Sequence, residues 1–217
     1  MPNNDPYKIR SGAKALTTAQ APAPPSQSQV SRDALDLTDH LLLAMPAMTD
    51  ANFSGTVVYI VEHNEKGAMG VVINRQLELT VSDLFERIDL KCEIEPLAKQ
   101  PVLLGGPVHN DRGFVLHRPI GSWSSSIRIN DSIALTSSRD VLESVANGAG
   151  PQDVIVALGY AGWGAGQIES EIAQNAWLTV KASEAIIFDS QAKDRHAKAF
   201  QLLGFDPVLM SATAGHA

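Results

Sequence analysis

Cysteine is nearly missing from this chain, basic residues are outnumbered, and no apolar run is long. The single thiol, Cys92, excludes an internal disulfide. Set between Lys91 and Glu93, it lacks the positive surroundings that make a thiolate reactive, so it reads as a structural thiol. The 17 Lys and Arg face 24 Asp and Glu, a net charge of −7. The first thirty residues hold Lys8, Arg10 and Lys14 against Asp5, so the remainder has 14 basic and 23 acidic side chains, or −9. Such a domain repels phosphate backbones, which speaks against direct nucleic-acid binding. Every apolar run falls far short of the ~20 residues a membrane-crossing helix needs, and nothing resembles a signal peptide. A reducing cytoplasm is the expected compartment, with no membrane partner.

Catalytic and cofactor motifs are scarce too. No Gly-x-Ser-x-Gly elbow and no Gly-Lys-Ser/Thr phosphate loop occur. The histidines are scattered. His109 and His117, placed on one face if a hairpin turns between them, have no carboxylate or thiol at metal-ligand spacing. No metal and no cofactor are expected. His196 reads as a packing residue on an apolar helix face, and His63 and His109 as solvated.

What is present is ordinary globular material: 217 residues, 44% apolar and 19% charged, enough for one sizeable domain. Residues 1–33, rich in Ala, Pro, Gln and Ser, cannot bury enough apolar surface to order themselves and read as a disordered tail. The domain then spans 34–217. Leu41–Met45, Phe53–His63 and Met69–Ile73 read as strands, the last two joined by a type I turn closed by a left-handed glycine at Gly67. The pattern His-Asn-acid-base-Gly recurs at His109–Gly113 and predicts a second hairpin. Helices should follow both, capped by Thr80 with Asp83 and by Ser137 with Asp140. That parallel raises the idea of internal duplication, with convergence on a good turn sequence as the alternative. Val154–Leu158 reads as a buried strand. Ala176–Val180 and Ala185–Phe188 read as short strands, and a last helix runs from about Ser190 to Leu203. Strands outnumber helices and the hairpins are local, so the class is α+β.

The chain is organised around Gly159–Gly166, where four glycines surround Trp163 between the Val154 strand and a helix opening near Gln167. The spacing is wrong for a dinucleotide loop, because Gln167 stands where a third glycine belongs. Glu169 and Glu171 suit the positive end of the helix dipole and would repel a phosphate there. Trp163 has two readings. It is a core plug, or it is an aromatic platform with Tyr160 and Gln167 as polar handles. Gly105 and Gly106 are expected close by, and a contact surface for a protein or small-molecule partner would draw on these residues and on Ser138. The rival reading is a hydrolase or transferase with Glu169 or His117 as general base.

Residues along most of the chain carry a resemblance: Leu43-Ala-Met-Pro46, Glu62-His-Asn64, Gly67-Ala-Met-Gly70, Gly105-Gly-Pro107, Arg112-Gly-Phe-Val-Leu-His117, Thr136–Glu143, Ala157-Leu-Gly-Tyr160, Asn175-Ala-Trp-Leu178 and Gly215-His-Ala217. Together they resemble the YqgE/AlgH family of bacterial proteins, from about residue 37 to the end. The resemblance implies a single α+β domain around a strongly coiled, partly split mixed β-sheet with flanking helices. One branch of that family carries a name linked to transcriptional regulation of alginate synthesis. No catalytic residues carry across. The residues and the resemblance jointly point to a non-enzymatic regulatory or binding protein, acting on transcription indirectly if at all.

Overall fold

The computed structural model describes residues 35–92 and 94–204. The expected disordered tail and the terminal Gly215-His216-Ala217 lie outside them. In chain order come β1 (His40–Ala44), β2 (Val57–Asn64), β3 (Gly67–Val72), β4 (Gln76–Thr80), α1 (Val81–Arg87), a 3-10 turn (Leu97–Lys99), β5 (Pro101–Leu104), β6 (Val108–Arg118), β7 (Ser126–Arg128) and β8 (Ala134–Thr136). Then follow α2 (Arg139–Ala146), β9 (Asp153–Gly164), α3 (Gln167–Ala173), β10 (Trp177–Lys181), α4 (Glu184–Ile187) and α5 (Ala192–Leu202). None of these helices is long and apolar enough to cross a membrane.

The strands make one curled sheet in the order β10-β1-β2-β3-β9-β6-β8-β7, with β4 paired to β5. β5 runs parallel to β9 and makes the sheet mixed. β9 is the strand the others hang on. Its first part pairs with β6 up to Tyr160, and Ala161–Gly164 pair with β3. Gly159, at φ +74°, kinks the strand at this change of partner. The sheet is therefore split and coiled, and the fold is the α+β domain expected from the sequence.

Period-two alternation explains how both faces are filled. Leu41 and Leu43 of β1 enter one core with Tyr59 and with Phe200 of α5. Leu42 enters another, with Trp163, Trp177 and Ile168 of α3. Val81 and Phe85 of α1 pack with Val141 and Val145 of α2 in a third. Each fully buried side chain of this kind contributes roughly 1.5–3 kcal/mol.

Several local expectations change. Residues 109–112 form no second hairpin; they bulge out of β6, whose register with β9 jumps from Val108–Tyr160 to Gly113–Leu158. Internal duplication thereby loses its second hairpin. Ala185–Phe188 is helical, not extended, and buries Ile186 and Ile187 of α4. A short apolar run does not by itself distinguish the two states. The capping box at Thr80 and Asp83 is present in both directions. At α2 the cap residue is Ser138 in place of Ser137.

Candidate functional site

The glycine stretch is strand almost to its end, since β9 continues through Gly164 and only Ala165 and Gly166 turn. Within it only Gly159 is crowded by another backbone, where a Cβ would stand 2.5 Å from the Gly106 oxygen, and the facing glycines are crowded in turn. A Cβ on Gly106 would stand 2.2 Å from the carbonyl carbon of Tyr160, and one on Gly105 would stand 2.3 Å from the Gly159 oxygen. Gly105 donates its N–H to Leu158 and accepts one from Val72, which ties β3, β5 and β9 together where they converge. Tyr160 is half-buried, edge-on to Phe114 at 5.7 Å.

Trp163 is only 6% exposed. Its ring stacks on Phe53 at 6.0 Å and meets Trp177 edge-on at 6.1 Å. Both indoles donate to one carboxylate oxygen, Oε2 of Glu171, at 3.0 and 2.8 Å. Gln167 completes the clamp, donating to Glu171 Oε1 and accepting the Gly164 N–H. The ring fills the core and offers no platform to a partner.

Both bases of the rival reading are engaged within the fold. Leu37 donates its N–H to Nδ1 of His63, so the proton sits on Nε2, which donates to Oε1 of Glu169 at 3.0 Å. The other carboxylate oxygen, Oε2, is sealed from solvent. The His63 side chain is thus buried and engaged, contrary to the solvated site expected. His117 is fully buried. Its Nδ1–H donates to the Pro119 carbonyl, leaving Nε2 to accept the Thr136 hydroxyl at 2.9 Å. Burial pushes its pKa down, which keeps this imidazole neutral. His117 sits opposite Val154 at one end of β9 and Trp163 lies near the other, up to roughly 30 Å of strand away. Ser138 lies just past β8, separated from β9 by β6, where its hydroxyl accepts from Ser125 and donates to Asp140. The candidate residues therefore form no common surface. Among the described residues no cluster of three or more His, Cys, Asp or Glu could hold a metal ion.

A hollow of ligand size lies elsewhere. A cleft of about 840 Å³ opens between the stretch before β5 (Ile94, Leu97), the α2–β9 connection (Gly148, Gln152) and the α4–α5 link (Phe188, Gln191). Small-molecule sites commonly enclose about 300–1,000 Å³. Leu103 and Ile155 give the cleft an apolar wall. Arg195 also lines it, although the residue is buried to 6% exposure. Its Nε donates to the Ile186 carbonyl at 3.2 Å and Nη1 to the Ile73 carbonyl. No carboxylate among the described residues pairs with it. Asp153 and Asp189, on the same wall, are held by Arg118 at 2.8 and 2.9 Å, and Glu95 by Lys99 at 3.1 Å. Desolvation pushes the Arg195 pKa down to about 10, still charged at neutral pH.

Sequence reasoning passes over Arg195. The signal is there: Ala192, Arg195 and Ala199 share the buried face of α5, so an arginine stands where an apolar residue belongs. His196, the residue singled out on this helix, does pack on Phe200 at 4.8 Å.

Comparison with known proteins agrees with the fold. A family model described as AlgH-like matches residues 41–208. A UPF0301 protein of Ralstonia nicotianae is 56% identical over 183 residues, covering 84% of this chain and 96% of its own. A UPF0301 protein of Bordetella petrii is 57% identical over 184 residues, covering 85% and 91%. The solution structure of the AlgH protein from Pseudomonas aeruginosa superposes with a TM-score of 0.70 at 43% identity, covering 88% of this chain and 100% of that one. A Corynebacterium diphtheriae protein shares the fold at TM-score 0.61 with 18% identity, covering 81% and 90%.

Proposed function

The chain belongs to the AlgH-like family, and from that premise we propose that it is a non-enzymatic binding protein that receives a small molecule in the Arg195 cleft. One observation carries the reading: a cleft of ligand size contains a buried cation with no carboxylate partner among the described residues. Burying a charge is costly unless it is paired, and two carbonyls supply only part of what water would. A regulatory role follows if occupancy of the cleft is what the cell reads. With a balance of −9 over residues 31–217, such regulation runs through a ligand or protein partner and not through contact with DNA. We assign the protein to the cytoplasm, where a lone buried thiol such as Cys92 stays reduced.

A thermal-shift screen of small metabolites tests the proposal, alongside Gln152→Trp, which fills the cleft mouth from an exposed position. A ligand at about a hundred times its Kd stabilises by about 2.7 kcal/mol, or about 5–10 °C in a chain of this size. The shift should vanish in Gln152→Trp. Shifts that persist in that variant, or a screen with none, would remove the proposal.

A further inference from the structure

Resting on the cleft reading above, we infer that the ligand is a small organic oxyanion, a carboxylate or phosphate monoester on an apolar stem, with its charged end held by Arg195. Two edges of the guanidinium are already assigned, Nε to Ile186 and Nη1 to Ile73. Nη2 has no hydrogen-bond partner among the described residues, and Arg195 lines the cleft. An arginine with free N–H groups at the wall of a hollow matches an oxyanion better than any neutral group.

The surroundings agree. Cleft-lining Ser190 is buried and its hydroxyl accepts from the ammonium of Lys198 at 2.9 Å. Helix α5 begins beside it at Ala192, and its cap residue Gln191 supplies no side-chain hydrogen bond to the first turn. The acidic residues of the cleft are each bound to Arg118 or Lys99, so they offer Arg195 no competing partner. The lining also includes Leu97, Leu103 and Phe188, suited to an apolar stem. The volume is far beyond what an inorganic ion needs, which is why the ligand is organic.

Matched probes decide the matter: carboxylic acids with straight-chain, branched and aryl stems, their primary amides, and the corresponding phosphate monoesters, titrated by calorimetry into the full chain. At least one anion should bind about tenfold or more tighter than its amide. Its affinity should fall about tenfold in Arg195→Gln. Arg195 also braces the fold, so Gln191→Glu serves as the second variant, adding negative charge from an exposed position and weakening the anions far more than the amides. Acid and phosphate arms show which oxyanion is preferred. Amides binding as tightly as anions, with both blocked by Gln152→Trp, would overturn this inference and leave the cleft reading standing. If no probe binds, this inference falls and the metabolite screen decides the cleft reading; binding that ignores Gln152→Trp removes both.

Discussion

Replacing Glu171 by alanine should damage this protein more than an ordinary helix-surface change. The carboxylate accepts from Trp163 at 3.0 Å and from Trp177 at 2.8 Å, and both indoles are buried, at 6% and 2% exposure. A hydrogen bond to a charged group contributes roughly 1.5–3 kcal/mol, and a buried donor left unpaired costs a similar amount. Water entering the vacated space restores part of one bond. The expected loss is therefore about 2–4 kcal/mol, or about 4–16 °C in melting temperature. Glu171→Gln keeps an acceptor oxygen and should cost only about 0.5–1.5 kcal/mol. Urea unfolding followed by tryptophan fluorescence reads both, because two of the three tryptophans sit in the clamp. An alanine variant within about 0.5 kcal/mol of the parent, or a glutamine variant equally damaged, would refute the claim that one carboxylate holds the two rings.

Gly106→Ala should abolish folding or cost several kcal/mol in a denaturant titration, because its Cβ would sit 2.2 Å from the Tyr160 backbone. Gly113→Ala, with nothing within 4 Å, should be neutral or stabilising by about 0.4–1 kcal/mol. Thr80→Ala removes the hydroxyl half of the α1 capping box and should lose about 1 kcal/mol by the same measurement. Asp140 gives a pH signature: hydrogen bonds from Ser138 and Ser124 lower its pKa from 3.8 to about 2. A depressed carboxyl stabilises fully above its unfolded pKa and loses that contribution as pH falls through the folded one. Asp140→Asn should therefore flatten the stability profile between about pH 4 and pH 2, and an unchanged acid limb would contradict it.

Much of the fold is legible because it is written in local chemistry. Thr80 and Asp83 cap a helix through bonds that span three residues, and Gln167 opens α3 as its apolar spacing predicts. What misleads is local chemistry with a second use. His109–Gly113 has good turn residues, yet Phe114–Arg118 continue along β9 and the turn becomes a bulge in a longer strand. Gly159–Gly164 looks like a loop for the same reason. Gly159 serves the close approach of Gly106 and Val108 to β9, which depends on contacts far apart in sequence.

The site stays hidden in the sequence for a deeper reason. Trp163 draws attention because a large aromatic among glycines is conspicuous in a one-dimensional pattern, but conspicuousness there measures how hard a ring is to pack. The fold meets that difficulty by burying the ring and giving its N–H to Glu171. Arg195 is the opposite case. On α5 it looks like one more charge in a helix rich in them, and only the approach of Ile73 and Ile186 turns it into a buried cation. Arg118 shows what this fold does with an arginine it needs for structure alone, surrounding it with Asp153, Glu184 and Asp189. Those three carboxylates raise its pKa, whereas burial lowers that of Arg195. Two arginines near one cleft, one given three acids and the other none, differ in what remains to be bound, and that difference is where the ligand's charge is specified.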